Sequence, residues 1–579
     1  MEVFKKLEMY QPRGFVPEDA ELRDKETVIS LYQALIDRHI SSSQDLEKWI
    51  MDRSELEAAI DQAGSILYIQ MTCHTDHEEY ARNYTHFMEN IIPAVKPLEN
   101  ALDQKYLLLL RENFELDKKR YQVYDRSIHA DVKLFRQENV PLQTQVDLLS
   151  QEYQKICGAM TVHFNGKEQT LAEMNKYLQD PDYNLREDAW RMIAQRREQD
   201  RKALDEIFSK MLDLRHQVAR NAGFKNFCDY QFEAYHRFDY TPEECKAYHK
   251  TIEKKVVPVW KKILERRKKQ MKVKSLRPWD TAVDPLGRAP LRPFEKVDKL
   301  VSGVQKIFDV VDPQLGGQFR DMKERGLLDL ASRKGKAPGG YQNTLAEARQ
   351  PFIFMNAVGL DYDVRTLLHE GGHAFHAKAC THDPLYAYRH APMEFCEVAS
   401  MSMELLADEY LTIFYREEDA ERSRQEHLEG VVHVLAWVAT VDAFQHWIYE
   451  NPRHSIEERT EAWVEIYTRF GGGFLDWEGL ESFRESLWHR QLHIFEVPFY
   501  YIEYGIAQLG ALQVWKKARG NRQKALDAYR EALALGGSRP LPELFKTAGV
   551  KFDFSEETIV PLVEIVQKEL GLVGDTKNG

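Results

Sequence analysis

Apolar residues recur at every third or fourth position along most of the chain, with charged residues between them. The spacing is clearest in residues 20–60 and 77–157, and it returns from residue 171 to about residue 270. Such spacing places the apolar side chains on one face of an α-helix. These segments therefore predict long antiparallel helices, each with one buried stripe.

Three segments depart from this helical pattern. Asn165 and Gly166 lie between two short β-prone stretches and predict a tight hairpin turn. Residues 275–295 are rich in proline and lack periodicity, which indicates an irregular crossing between two bodies or a loop over a cleft. After a glycine-rich stretch, residues 351–356 form the most strand-like run of the chain.

Composition and charge exclude several functional classes. The 579 residues carry a net charge of −13, and an acidic surface repels phosphate backbones, so we expect no nucleic-acid partner. No apolar run approaches the ~20 residues of a membrane span, so we expect no membrane partner. The N-terminal segment lacks the apolar core of a secretory signal. The six cysteines lack CxxC spacing. We therefore expect a cytoplasmic protein without a disulfide framework or a cysteine–zinc site.

The strongest chemical signal is an HExxH motif in residues 361–380, DYDVRTLLHEGGHAFHAKAC. His369 and His373 are four apart, so both imidazoles share one helix face and can reach one zinc ion. Glu370 is rotated away from that line and can contact a water at the metal without binding the metal itself. The motif predicts one zinc per chain, with Glu370 as the general base.

HExxH also occurs by chance on surface helices, but two features argue against that alternative. The motif lies in an otherwise apolar helix, where buried polar side chains need a purpose. Gly371 and Gly372 each cost about 1 kcal/mol relative to alanine inside a helix. That cost is easier to understand if the backbone must pass close to a strand or a ligand.

A third protein ligand must come from elsewhere in the chain. The extended HExxHxxGxxH pattern fails, because positions 376 and 379 are His and Ala. His376 lies about 10.5 Å along the helix from His369, too far to bind the same metal. It can lie behind the ligands, line a substrate cleft or be a core histidine. The next helical segment, residues 392–410, offers Glu394 and Glu397, and spacing alone does not choose between them. Glu404 shares a face with Glu397.

The sequences HEGGHAFH and EFCEVAS together resemble the thimet oligopeptidase and oligoendopeptidase F family of gluzincin metallopeptidases. They are most similar to the bacterial oligoendopeptidase F and Pz-peptidase branch. That family's second motif has its zinc-binding glutamate before a small residue and a serine. The resemblance therefore implies Glu397 as the third ligand, and Glu404 as the acid that orients a zinc histidine.

Two further segments resemble regions of the same family. GGYQNTLAEARQPFIFMN is similar to its glycine turn and cleft-edge strand, and residues 470–515 are similar to its substrate-binding region. The resemblance implies that a histidine and tyrosines act on the substrate, with Tyr500 as a rival to Tyr501. An aromatic core helix is the alternative for the tyrosines. The implied residues are Gly339, Gly340, Tyr341, His376 and Tyr500 for substrate binding, and His493, Tyr501 and Tyr504 for catalysis.

The resemblance also implies a fold and an activity. The expected fold is mainly α: two helical bodies around a deep substrate channel, with a small β-sheet beside the HExxH helix. A substrate strand is expected to add to the sheet edge near 351–356. We place an N-terminal helical region at 1–190 and the catalytic region at 191–579, with the motifs within 330–515.

The expected activity is zinc-dependent cleavage of internal bonds in short unfolded oligopeptides. A related zinc carboxypeptidase and an inactive peptide-binding protein are the alternatives. The sequence leaves the oligomeric state open, with a monomer as the default expectation.

Overall fold

The computed structural model describes residue 4 and residues 7–111 and 115–572, and most of them lie in α-helices. This confirms the predicted mainly α class. Helices of the first half are Lys25–Asp37, Ser43–Cys73, Glu78–His86, Ile92–Arg111, Lys118–Leu134, Asn139–Gly158, Leu171–Met174, Tyr183–Glu198, Arg201–Asn221, Phe227–Ala234, Pro242–Thr251 and Val257–Met271. Helices of the second half are Val297–Val311, Pro313–Glu324, Asp361–Ala379, Met393–Ala407, Glu417–Glu450, Ile456–Arg469, Glu481–Glu485, Leu492–Glu496, Ile502–Gly520, Arg522–Ala534, Leu541–Thr547 and Glu556–Glu569.

The chain forms two compact units, and each unit is assembled from three separate stretches. The first unit contains Met1–Lys133, Arg292–Ser423 and Gly510–Phe552. The second contains Leu134–Leu291, Arg424–Leu509 and Asp553–Gly579. One passage between units falls within the irregular segment 275–295, which fits the crossing, one of the two alternatives that the proline-rich pattern left open. The division at residue 190 and the channel between the bodies stay predictions.

Each unit has its own apolar core. In the first unit, the N-terminal helices bury Trp49, Leu102 and Tyr106 in one cluster, which also takes in Leu385 and Tyr388. In the second unit, a smaller cluster is built around Trp279, Trp477 and Leu480. The periodic apolar stripes of the sequence are the residues that fill the first of these cores.

A three-stranded sheet lies in the first unit, packed against the helix Asp361–Ala379. Its strands are β3 (Leu328–Ala331), β4 (Tyr341–Leu345) and β5 (Gln350–Ala357), in the order β3-β5-β4. β5 pairs in parallel with β3 and antiparallel with β4. The small sheet beside the HExxH helix is therefore confirmed.

The expected location of the sheet edge is wrong. The run 351–356 lies in β5, which is the central strand and has a partner on each side. Its strongly apolar composition follows from that central position, since five consecutive residues from Pro351 to Met355 are buried. The edge strand that contacts the HExxH helix is β4.

The predicted hairpin is confirmed in the second unit. β1 (Thr161–Phe164) and β2 (Lys167–Thr170) pair antiparallel, and only Asn165 and Gly166 join them. Both turn residues have positive φ, 51° and 75°. Such a turn matches the twist of the two strands and needs residues that tolerate the left-handed region.

Among the described residues, one helix, Glu417–Glu450, has the length and hydropathy of a membrane span. Within its most apolar stretch, 78% is buried inside the protein. Burial of that extent is what a core helix shows, so its apolar character follows from packing.

Candidate metal centre

The HExxH helix, Asp361–Ala379, begins at a well-built turn. One carboxylate oxygen of Asp363 accepts the backbone N–H groups of Val358, Gly359 and Leu360, each at 2.8 Å. A helix start leaves such N–H groups without partners inside the helix, and a carboxylate there is favourable. Asp363 therefore caps the start of this helix. The turn directly follows β5, so the central strand of the sheet leads into the HExxH helix.

The two glycines of the motif permit close packing. A Cβ added at Gly372 would lie 2.5 Å from the Cα of Ser400 and 2.7 Å from the carbonyl oxygen of Ala399. A Cβ at Gly371 would lie 2.5 Å from the ring tip of Phe308. Ser400 and Ala399 belong to the glutamate helix, Met393–Ala407. The close approach that the glycines indicated is therefore between two helices.

This approach brings three possible metal ligands together. One ligand atom from each of His369, His373 and Glu397 lies within 4.8 Å of the other two. The Oε2 atom of Glu397 is 3.4 Å from His369 Nε2 and 3.6 Å from His373 Nε2. Tetrahedral zinc with bonds of about 2.1 Å sets its ligand atoms about 3.4 Å apart. The two nitrogens and one oxygen thus fit a zinc ion in both type and spacing.

Neighbouring side chains hold the ligands in orientation. Glu404 Oε1 lies 2.7 Å from His369 Nδ1, so that nitrogen is the donor, and Nε2 is the ring nitrogen left for a metal. The Ser400 hydroxyl donates to Glu397 Oε2 at 3.1 Å. The contact expected for Glu404 from the resemblance is present in the structure.

Burial and neighbouring charges shift the pKa values of all three possible ligands. Burial lowers the pKa of His373 to about 4. Burial alone would lower the pKa of His369, but the carboxylates of Glu397 and Glu404 raise it well above its usual value. Burial likewise opposes the charged form of Glu397, yet the imidazoles of His373 and His369 lower its pKa overall. A bound cation would favour the neutral imidazoles and the carboxylate that metal binding requires.

Glu370 lies next to these ligands and faces the sheet. It is 7% exposed, and burial raises its pKa to about 7. The backbone N–H of Gln342, on the edge strand β4, donates a hydrogen bond to its carboxylate. Sequence reasoning missed Gln342, because the group involved is a backbone amide and no side-chain signal marks it.

Two other polar residues of these helices are buried without joining the ligand group. His376 is 4% exposed, and its ring centroid lies 5.9 Å from that of Phe395. Burial lowers its pKa to about 3. Of the three interpretations that the sequence left open for His376, its burial fits that of a core histidine. Glu394 is buried too, so it is not a solvent-exposed acid, but the three-ligand group contains Glu397 instead.

Gly339, Gly340 and Tyr341 lead into β4. Gly339 has a φ of 95°, and its carbonyl oxygen accepts a hydrogen bond from Asn356 at 3.0 Å. The Tyr341 ring stacks on Phe354 with centroids 4.7 Å apart, and its hydroxyl lies 2.6 Å from Thr72 Oγ1. The Tyr341 side chain is therefore already engaged within the protein. Binding of substrate by the backbone of this segment stays a prediction.

The second unit collects the predicted histidine and tyrosines in one group. The His493 ring lies 4.9 Å from Tyr501 and 5.9 Å from both Tyr500 and Tyr504. Burial raises the pKa of Tyr501 to about 12, so its hydroxyl stays protonated and able to donate. The choice between Tyr500 and Tyr501 stays open, and the role of the group at the metal centre stays a prediction.

Gln491 is a further residue of this group that sequence reasoning missed. Its amide nitrogen lies 2.8 Å from His493 Nδ1, and its oxygen accepts the indole N–H of Trp437 at 3.1 Å. Gln491 therefore fixes the orientation of the His493 ring. Nothing in the local sequence marks this role, since Trp437 comes from another helix.

Comparison with known proteins gives one consistent family. The model of peptidase family M3 matches residues 176–560, and that of the peptidase M3 N-terminal domain matches residues 15–135. An oligoendopeptidase F homolog of Borreliella burgdorferi is 22% identical over 545 residues, covering 89% of this chain and 86% of the relative. Oligopeptidase PepF of Bacillus subtilis is 27% identical over 268 residues, covering 44% of this chain and 39% of the relative. The solved structure of Pz peptidase A with an inhibitor superposes with a TM-score of 0.89 at 30% identity, covering 97% of this chain and all of that one.

Proposed function

The chain belongs to peptidase family M3, and from this premise we propose that it is a zinc-dependent endopeptidase of short unfolded oligopeptides. The observation that carries the proposal is the group of His369, His373 and Glu397, with the carboxylate of Glu370 beside it. Two imidazoles and one carboxylate are the ligand set of a known class of catalytic zinc site, which keeps one position open.

The three ligands would hold zinc, and the ion would polarise the scissile carbonyl and lower the pKa of an attacking water. Glu370 then accepts a proton from that water at its carboxylate and delivers it to the leaving nitrogen. Glu404 keeps His369 in the tautomer that presents Nε2, and Ser400 orients Glu397. Each of these protein groups lies in the first compact unit.

His493, Tyr501 and Tyr504 are proposed to donate hydrogen bonds to the oxygen that gains negative charge during attack. The support is the resemblance of residues 470–515 to the family and the clustering of these rings. Gln491 would hold the His493 ring in one orientation for that role.

The proposed internal cleavage has a structural argument of its own. β4 is an edge strand, and the N–H of Gln342 on it donates to Glu370. An extended peptide that pairs with an edge strand is bound through its main chain. Binding of that kind needs no free terminus, which favours an endopeptidase. The names of the oligoendopeptidase F relatives agree with this proposal.

The experiment is product analysis by mass spectrometry on a mixed library of peptides acetylated and amidated at their ends. We expect internal cleavage that chelation abolishes and added zinc restores. Release of single C-terminal residues from free peptides, with amidated peptides resistant, would establish the carboxypeptidase alternative. Peptide binding without any product would establish the inactive binder. We further propose a cytoplasmic location, in keeping with six free cysteines.

A further inference from the structure

A second group of possible metal ligands lies in the core of the second unit, far along the sequence from the HExxH motif. The helix Pro242–Thr251 carries Cys245 and His249, and the helix Glu417–Glu450 carries Asp442 and His446. Each pair is four residues apart, so its members share one helix face. All four side chains are buried, and Cys245 and Asp442 are 0% exposed.

Three of these residues converge closely. One ligand atom from each of Cys245, Asp442 and His446 lies within 4.8 Å of the other two. His446 Nε2 is 3.5 Å from Asp442 Oδ2, and His249 Nε2 is 2.7 Å from the same oxygen. His249 thus orients Asp442, as a hydrogen-bonded neighbour commonly orients a metal ligand.

Two atoms of the group lack a well-directed hydrogen bond among the described residues. Asp442 Oδ1 and His446 Nε2 are buried, and neither forms a well-directed hydrogen bond within the part of the chain that the structure describes, although His446 Nε2 lies 3.5 Å from the other carboxylate oxygen of Asp442. A buried polar atom without a partner is costly and rare in folded proteins. Two such atoms beside a cysteine sulfur indicate that a ligand completes the group.

We propose that Cys245, Asp442 and His446 bind a second, structural metal ion of the thiophilic divalent class, such as zinc or cobalt. A thiolate and a carboxylate carry two negative charges, which a divalent cation neutralises in the buried core, and a neutral imidazole completes the set. A sulfur ligand selects against magnesium, calcium and manganese. His446 Nε2 and Asp442 Oδ2, 3.5 Å apart, are already at the spacing of two ligands of a tetrahedral ion.

Such an ion would link two helices that belong to separate stretches of the second unit. Because its ligands are buried, its role would be structural, and binding would add to the folding free energy of that unit. The single zinc that the sequence predicts at His369 and His373 is independent of this site. The second ion was not predicted, because each helix supplies only part of the ligand set.

Cobalt distinguishes the two centres by spectroscopy. A thiolate bound to Co²⁺ gives a charge-transfer absorption in the near ultraviolet, whereas the HExxH centre offers only nitrogen and oxygen ligands. The full-length chain is produced in cobalt-supplemented medium, and metal content and absorption are measured together. We expect two cobalt ions per chain and the charge-transfer band.

Variants assign the band to its ligand. Cys245→Ser should lose the band and one cobalt equivalent. Cys228→Ser is the matched control, because Cys228 is also buried and its sulfur lies 3.9 Å from His446 Nδ1, the other ring nitrogen. The Cys228→Ser variant should keep the charge-transfer band and both cobalt equivalents. The double variant His369→Ala/His373→Ala should keep the band with one cobalt equivalent. This measurement does not depend on whether Cys245→Ser folds.

Absence of the band in the wild-type chain and in the double variant would overturn the proposal and leave a metal-free ion pair between His446 and Asp442. A band that survives Cys245→Ser, or one that Cys228→Ser abolishes, would overturn the ligand assignment. None of these outcomes bears on zinc at the HExxH helix, since peptidase activity is not the readout.

Discussion

Gly372→Ala tests whether close helix packing builds the metal centre. The new Cβ would lie 2.5 Å from Ser400 Cα and 2.7 Å from Ala399 O, and neither backbone atom can rotate away. Ordinary contact begins near 3.4 Å, so the two helices must separate by about 0.9 Å at this point. The same displacement carries Glu397 away from His369 and His373, whose nitrogens now lie 3.4 and 3.6 Å from its Oε2.

Gly372→Ala changes the stability of the chain without zinc in two opposite ways, through overpacking and through helix propensity. Overpacking costs about 1–3 kcal/mol, and alanine regains about 1 kcal/mol of helix propensity, so the net loss of stability is about 0–2 kcal/mol. Zinc affinity has no such compensation. Misplacing one of three ligands by nearly 1 Å should weaken zinc binding at least tenfold, which corresponds to about 1.4 kcal/mol.

Gly371→Ala is the matched control. Its Cβ would meet the ring tip of Phe308 at 2.5 Å, and the three atoms nearest to that Cβ all belong to this ring and not to the glutamate helix. Zinc affinity is measured by competition with a chromophoric chelator, and stability by urea unfolding of the metal-free chain. We expect Gly371→Ala to bind zinc nearly as the wild type does. Wild-type zinc affinity in Gly372→Ala, with the fold intact, would refute the packing argument.

Five further substitutions separate the roles of the metal centre and of the His493–tyrosine group. Glu370→Gln should keep zinc and lose nearly all turnover, because an amide cannot accept the proton; turnover near the wild-type value would contradict its role as base. Glu404→Gln should weaken zinc binding roughly 10- to 100-fold, because His369 loses its charged partner; unchanged affinity in a chelator competition would show that the contact does not tune the ligand. Tyr501→Phe or Tyr504→Phe should lower kcat on the order of a hundredfold with a small change in KM. Equally small effects of these two and of Tyr500→Phe would support an aromatic core helix.

The local parts of the fold and the site could be predicted from the sequence. Helix periodicity, the Asn165-Gly166 turn and the shared face of His369 and His373 each depend on residues a few positions apart. Such short-range relations are fixed by backbone geometry alone. The strand at 351–356 was also predicted for this reason.

Contacts between elements that are distant in sequence could not be predicted from local patterns. The register between β5 and its two partners cannot be read from the sequence, so the sequence does not show that this strand is central and not at the edge. Glu394 and Glu397 are both buried acids on one helix, and the way that helix packs against the HExxH helix brings Glu397 to the histidines. The hydrogen bonds of Gln342 and Gln491 likewise depend on elements that are distant in sequence.

The same limit explains the second ligand group and the compact units. Cys245 and Asp442 lie on helices that no local pattern connects, and six cysteines without CxxC spacing gave no metal signal. Each unit is assembled from three stretches of chain. A sequence pattern can mark one such crossing, as the proline-rich segment 275–295 did, but it does not show which stretches fold together.

The most direct test of the central claim is anomalous X-ray diffraction at the zinc edge from crystals of the zinc-loaded full-length chain. The account predicts an anomalous peak within coordination distance of the Nε2 atoms of His369 and His373 and of the Glu397 carboxylate, with Glu370 beside the ion but not bound to it. A map with no peak at this position, or with Glu394 bound in place of Glu397, would contradict it.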